Sequence, residues 1–295
     1  MPTKLASIEE YRKLVDSYDT FLFDCDGVIW LGSELISGVK EVISFLKSSN
    51  KNLLYVTNNS TVSRKDYVKK FEKLGLTVTE NEIYGSAYAT AIYLQKIVKF
   101  KAEKEVFIVG GAGIKKELEL VGIKVSDKVI PPMSGTEDIK KILPDSKIGA
   151  IVCGLDLNMS YGKMAFAHIN LMTNEDCLFI ATNDDSSFPV ENQIFPGAGS
   201  ILSVLVTSTK KKPAVIGKPY QTMFDSICAS HEIDLRRTLM VGDRLDTDID
   251  FGIAAGIDTL VVYTGVTTEE EACNPNNSQA TFSMGSFGEL SALID

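Results

Sequence analysis

Short apolar runs alternate along the chain with stretches in which apolar residues recur every three or four positions. Uninterrupted runs read as strands buried on both faces, and the longer spacing reads as helices with one apolar side. Thr20–Phe23 is the first strand of this kind, and Val39–Lys47 the first such helix. Leu53–Val56 is a second buried strand, followed by helical spacing over Val62–Leu74 and again over Ala87–Val98. A further series follows the charged segment Lys99–Glu105: Val106–Val109, Lys115–Leu120, Gly149–Cys153, Tyr161–Met172 and Leu178–Ala181. Pro131-Pro132 and Thr136–Lys140 interrupt it as loops, and Thr207–Lys212 is another short polar run. Strands at Ala214–Ile216, Thr238–Val241 and Thr259–Val262 complete the pattern, with helical spacing between them.

Strand–helix alternation of this kind predicts an α/β fold with a Rossmann-like parallel sheet covered by helices on both faces. The polar breaks predict that one core is interrupted by an insertion, with the core at 1–103 and 206–295 and the inserted α/β domain at 104–205. Parallel sheets of this class bind ligands beyond the carboxyl ends of their strands. Candidate chemistry is therefore sought at strand ends.

Four such ends stand out. Phe21–Trp30 leads out of a strand into Asp24 and Asp26 and then Gly27. Carboxylates at the end of a buried strand need a charge partner or a metal, because an isolated buried charge is costly. Two acids two positions apart on a turning backbone can face one cleft, although a plain pair of turn-forming aspartates has the same pattern. Leu54–Thr61 places Thr57, Asn58 and Asn59 at a strand-to-helix junction. Such hydroxyl and amide groups donate to phosphate oxygens, while ordinary capping by Ser60 or Thr61 is the competing reading. Lys218 follows the apolar run Ala214–Ile216 and precedes Pro219. It can screen a carboxylate from a phosphate dianion, though most lysines are simply solvated. Thr238–Ile249 brings Asp243, Asp246 and Asp248 after one strand. An oxygen-rich set without histidine or cysteine suits magnesium rather than zinc.

In this order, these four stretches resemble the motifs of the haloacid dehalogenase superfamily: Asp24-Cys-Asp-Gly-Val, Thr57-Asn-Asn, Lys218-Pro and Gly242-Asp-Arg-Leu-Asp-Thr-Asp. The resemblance covers nearly the whole chain. The insertion between the second and third motifs is similar to the large α/β cap of the 4-nitrophenylphosphatase, phosphoglycolate phosphatase and pyridoxal phosphate phosphatase branch. The stretches from Val152–Asp156 to Tyr161 and from Ala181–Asn183 to Phe188-Pro189 resemble that branch as well. The resemblance implies that Asp24 attacks phosphorus and that Asp26 donates and later accepts the proton. It also implies that Mg²⁺ is held by Asp24, the Asp26 carbonyl and Asp243, with Asp248 supporting the metal. Thr57, Asn58, Asn59 and Lys218 would hold the phosphate.

The cap would select the substrate. Where pyridoxal phosphate phosphatases usually carry a histidine before the proline, this chain has Phe188. That departure favours 2-phosphoglycolate, with general 4-nitrophenylphosphatase activity, over pyridoxal phosphate. A non-hydrolytic phosphometabolite-binding protein would lack the nucleophile, the acid or the lysine, and all are present. A phosphoryl transferase or mutase would carry the same residues. The branch also implies a homodimer formed through the cap.

Charge and cysteine content narrow the partners. The formal net charge of −9 disfavours nucleic acid and anionic membranes, and it requires Lys218 and a metal to supply local positive charge. The five scattered cysteines form no CxxC pair, and the polar, acid-bearing first residues lack a signal-peptide core, so a cytoplasmic protein is expected. Cys25, between two acids, is read as a small filler of the strand end, with an oxidation-sensitive thiol as the alternative. His168 and His231 fall on helical spacing and are not expected in catalysis.

Overall fold

The computed structural model describes residues 1–190 and 193–294. The chain forms two units. The first comprises 1–57, 65–84 and 218–295, and the second comprises 58–64 and 85–217.

The first unit is built on a seven-stranded sheet, parallel from Thr3–Lys4 through Asn52–Thr57. Its order is Thr3–Lys4, Phe282–Met284, Asp258–Val262, Thr238–Gly242, Thr20–Phe23, Asn52–Thr57, Ile83–Gly85. The inner strands are apolar because both faces are covered, and every residue of Thr20–Phe23 and Thr238–Gly242 is buried. From Thr20–Phe23 the chain adds strands on one side, at Asn52–Thr57 and Ile83–Gly85. It later returns to the other side at Thr238–Gly242. The direction of strand addition therefore reverses between Thr20–Phe23 and Thr238–Gly242, the kind of point at which open α/β sheets bind ligands. The register pairs Phe23 with both Val241 and Tyr55, so Asp24, Asp243 and Thr57 emerge from neighbouring strand ends.

The helix Val39–Ser48 shows why the spacing was readable. Its buried residues are Val39, Val42, Ile43 and Leu46, one stripe at the helical period. These join a core in which Phe23 meets Phe287 at 5.0 Å and Tyr55 meets Phe71 at 4.5 Å between ring centroids. Offset or edge-on aromatic pairs of this kind add to simple area burial.

The second unit has its own core on a four-stranded parallel sheet, ordered Ala214–Val215, Leu178–Ala181, Ile148–Cys153, Glu105–Val109. An antiparallel hairpin pairs Ser187–Val190 with Gln193–Pro196 and sets Phe188 opposite Phe195.

Several details depart from the pattern read in the sequence. The second unit extends beyond 104–205 at both ends, because the helical stretch from Ser86 packs against the helix Ala112–Leu120 and because Ala214–Val215 pairs with Leu178–Ala181. Thr136–Ile139 is a helical turn rather than a loop. Ser134 donates to Asp138, and lysines at 140 and 141 pair with acids three positions earlier, which holds that turn. The polar run at 207 begins inside the helix Ala198–Thr209, where the Thr209 hydroxyl donates back to the Leu205 carbonyl. His231 lies past the helix Gln221–Cys228 instead of on it.

Candidate active site

The Lys218 ammonium lies at the centre of the site in the first unit. Only 2% of its side chain is exposed. All three of its donors are used: Asp24 Oδ1 accepts at 2.5 Å, Asp248 Oδ1 at 2.7 Å and the Val56 carbonyl at 2.9 Å. Burial alone would pull this amine below its usual pKa. The carboxylates of Asp24 and Asp248 outweigh burial and raise it, so Lys218 is a permanent cation.

Asp248 is fully engaged. Its other oxygen, Oδ2, accepts from the backbone N–H groups of Asp243 and Arg244, each at 3.1 Å. Those bonds wrap the start of the Leu245–Ile249 turn around one carboxylate. Asp248 is thus a bracket between Lys218 and the loop after the strand Thr238–Gly242.

Asp243 is 3% exposed and accepts at Oδ2 from the Val266 N–H at 2.8 Å. Its backbone carbonyl accepts from Thr267 at 2.9 Å. Two glycines make room for its side chain. A Cβ on Gly27, which has φ of +83°, would meet Asp243 Oδ2 at 2.5 Å, and one on Gly265 would meet it at 1.9 Å. Burial first, and then the charge of Asp248, raises the Asp243 carboxyl to a pKa of about 7. Burial, together with Asp248 and Asp243, likewise raises Asp24 well above the usual carboxylate range despite the Lys218 contact.

Asp24, Asp243 and Asp248 each offer an oxygen within 4.8 Å of the others. Three clustered carboxylates with one ammonium leave an excess of negative charge, and burial first, then that charge, raises both Asp24 and Asp243. Among the described residues, no hydrogen bond takes Asp24 Oδ2 or Asp243 Oδ1. Hard oxygen donors in charge excess, with free lone pairs on two of them, fit a divalent cation.

Asp26 differs from Asp24 in its surroundings. It is exposed, and its Oδ1 accepts from the Trp30 indole N–H at 2.8 Å. Thr57 is buried at the end of its strand and hydrogen-bonded to Tyr67. Cys25 is fully buried, and burial followed by the charges of Asp24 and Asp26 pushes its thiol far up. A thiolate is therefore suppressed, which supports the filler reading over the oxidation-sensitive one.

The remaining sequence candidates belong to the second unit. The Asn58 side-chain amide donates to Asp185 Oδ2 at 2.9 Å, and Asn183 donates to the same oxygen at 2.6 Å. Asn59 Oδ1 accepts from the N–H and hydroxyl of Thr61, a local turn bond. Phe188 lies on the hairpin, half-buried, with its ring 6.4 Å from that of Phe195.

Three contributors escaped the sequence reading. Gly265 and Val266 shape and bond Asp243 from the loop after Asp258–Val262. That loop leaves the carboxyl end of a core strand, and this position was the available signal. Trp30 was quoted inside the first motif, but nothing in the spacing showed that its indole reaches back to Asp26.

Known proteins resemble the chain over most of its length. Residues 21–124 match a family model described as haloacid dehalogenase-like hydrolase, and residues 215–290 match one described as HAD-hydrolase-like. The 4-nitrophenylphosphatase of Schizosaccharomyces pombe is 42% identical over 277 residues, covering 92% of each chain. Phosphoglycolate phosphatase 2 of Arabidopsis thaliana is 41% identical over 94% of this chain and 93% of its own length. A glycerol phosphate phosphatase of Mycobacterium tuberculosis, solved in complex with magnesium, superposes with a TM-score of 0.78 at 28% identity. That match covers 94% of this chain and 77% of the mycobacterial one. The chain belongs to the haloacid dehalogenase-like hydrolase family, and within it is a phosphatase.

Proposed function

We propose that the chain is a magnesium-dependent phosphomonoesterase for small phosphometabolites that works through an aspartyl-phosphate on Asp24. The observation that carries this reading is Lys218, which joins Asp24 to Asp248 beside Asp243 at the reversal point of the sheet.

Each residue then has one task. Asp24 attacks phosphorus, and the ester oxygen leaves with the proton of Asp26. The Asp26 carboxylate so formed takes a proton from the water that cleaves the acyl phosphate. By the family resemblance, Thr57 and Lys218 would exchange present partners for phosphate oxygens, and Asn58, Asn59 and Phe188 would take part in substrate binding. Asp24, the Asp26 carbonyl and Asp243 would hold the ion, with Asp248 as a support. Bound there, a divalent ion supplies charge that offsets the repulsion between a phosphate dianion and the carboxylate cluster.

For the substrate we infer 2-phosphoglycolate, with 4-nitrophenyl phosphate as a general substrate. Phe188 in place of a histidine supports this choice over pyridoxal 5′-phosphate, and so does the likeness to a phosphoglycolate phosphatase. A cytoplasmic homodimer formed through the second unit completes the proposal. The net charge of −9 and the lack, among the described residues, of a helix long and apolar enough to cross a membrane are compatible with that location. The test is kcat/KM for 2-phosphoglycolate, pyridoxal 5′-phosphate and glycerol 3-phosphate, with magnesium and with a chelator. The proposal expects 2-phosphoglycolate to lead and the chelator to abolish turnover. Equal rates on all three esters would remove the substrate assignment, and full activity in chelator would remove the metal.

A further inference from the structure

The loop from Cys25 to Trp30 is closed on itself. The Cys25 carbonyl accepts from Ile29 at 2.9 Å and from Trp30 at 3.2 Å, and Gly27 N–H donates to the Trp30 carbonyl at 2.8 Å. Within that closed loop the Trp30 indole N–H reaches Asp26 Oδ1 at 2.8 Å. The two partners differ sharply in exposure. Asp26 is exposed, whereas Trp30 is 0% exposed.

The ring is held from several sides. Phe71 meets it edge-on at 5.0 Å between centroids, Tyr67 is stacked at 6.5 Å, and the Lys70 ammonium lies 3.9 Å from the ring centroid. The ring therefore has no room to follow a wandering carboxylate, and Asp26 is pinned to it. A cation over the π face also draws electron density from the indole, which strengthens its N–H as a donor.

We propose that Trp30 is a positioning residue that decides which oxygen of Asp26 carries the catalytic proton. The reasoning is one of donors and acceptors. An indole N–H can only donate, so the oxygen it faces must accept. A proton on Oδ1 would make it the poorer acceptor and weaken that bond, so the N–H favours the proton on the other oxygen. The acid form of Asp26 consequently carries its proton on Oδ2, which has no hydrogen-bond partner among the described residues. As the ester bond breaks, that proton passes from Oδ2 to the leaving oxygen. The resulting carboxylate keeps the indole bond at Oδ1. Trp30 thus supplies an acid of one orientation without touching the substrate.

This inference rests on Asp26 acting as the general acid, so the experiment separates the two claims by leaving group. Nitrophenolate departs as a stable anion and needs no proton, whereas the alkoxide of 2-phosphoglycolate does. kcat/KM reports only the steps up to phosphoenzyme formation, so the later role of Asp26 as a base does not enter. Trp30→Phe removes the donor and keeps an aromatic ring. Because Trp30 is the single tryptophan of the chain, biosynthetic replacement with benzothienylalanine also exchanges just this N–H for sulfur at nearly constant shape.

The expected result for both variants is a loss of about tenfold in kcat/KM on 2-phosphoglycolate, a fraction of what a general acid supplies. On 4-nitrophenyl phosphate the expected change is less than about twofold. Asp26→Asn should show the same selectivity more strongly. Equal losses on both esters in the benzothienylalanine enzyme, with Asp26→Asn still selective, would reduce Trp30 to a packing residue and leave Asp26 as the acid. A non-selective Asp26→Asn would overturn the acid assignment and the Trp30 proposal with it.

Discussion

Lys218 is the residue on which the others depend. Its ammonium is enclosed by two carboxylates and a carbonyl, so replacing it with an apolar side chain leaves Asp24 and Asp248 buried against each other. Stranding a buried charge costs about 3–5 kcal/mol. Lys218→Met should lose about that much stability in urea unfolding with a chelator present, and about 10²–10³ in turnover. A loss below about 1 kcal/mol would mean that the ion pair is not the centre of the site. Asp24, Asp26, Lys218, Asp243 and Asp248 were legible in the sequence because each lies within a few residues of a strand end, and local pattern marks strand ends. The pairing of Trp30 with Asp26 was not legible. It depends on how the Cys25–Trp30 loop closes and on Phe71 and Tyr67, which come from a distant helix. The use of Asn58 and Asn59 in bonds to Asp185 and Thr61 was equally hidden, since the motif shows only that amides are present.

At the scale of elements, the strand ends set the chemistry and the loops between them make the space. Gly265 sits in the loop after Asp258–Val262, where a Cβ would fall 1.9 Å from Asp243 Oδ2. The obstruction is the carboxylate itself, so Gly265→Ala must displace Asp243 from its bond to Val266. If Asp243 holds the ion as proposed, metal affinity should fall by more than about tenfold, with a smaller loss of melting temperature, because the substitution moves that carboxylate rather than the core. Magnesium titration of activity together with thermal melts measures both effects. Unchanged magnesium dependence would exclude Asp243 from the ion site. Apolar spacing predicted the helix at Val39 and the buried strands well, because each pattern follows from burial of its own residues. It could not assign Ala214–Val215 to a sheet. That segment looks like any short buried strand, and only its pairing with Leu178–Ala181 places it in the second unit.

For the whole molecule, the charge excess in the cluster links folding, pH and metal. Asp243 has a pKa of about 7 in the folded chain, against 3.8 for an ordinary aspartate. Between those values the folded state holds the proton more tightly than the unfolded state does. Without metal, stability should therefore fall as pH rises through this window. In the proposed site a divalent ion would compete with that proton for the same carboxylates, so the rise in melting temperature produced by magnesium should be larger at pH 8 than at pH 5.5. Differential scanning fluorimetry across that range, with magnesium and with a chelator, checks both signs. A magnesium effect independent of pH would place the ion elsewhere.

The central claim is that phosphate passes through Asp24. Acid quenching during turnover of a phosphate ester preserves an acyl phosphate, and borohydride converts the phosphorylated aspartate to homoserine. Mass spectrometry of the peptide that carries the Phe21–Trp30 stretch then identifies the residue. The account predicts homoserine at position 24 in the native chain and none in Asp24→Asn, which should be inactive. Turnover without homoserine at position 24, or full activity in Asp24→Asn, would contradict it.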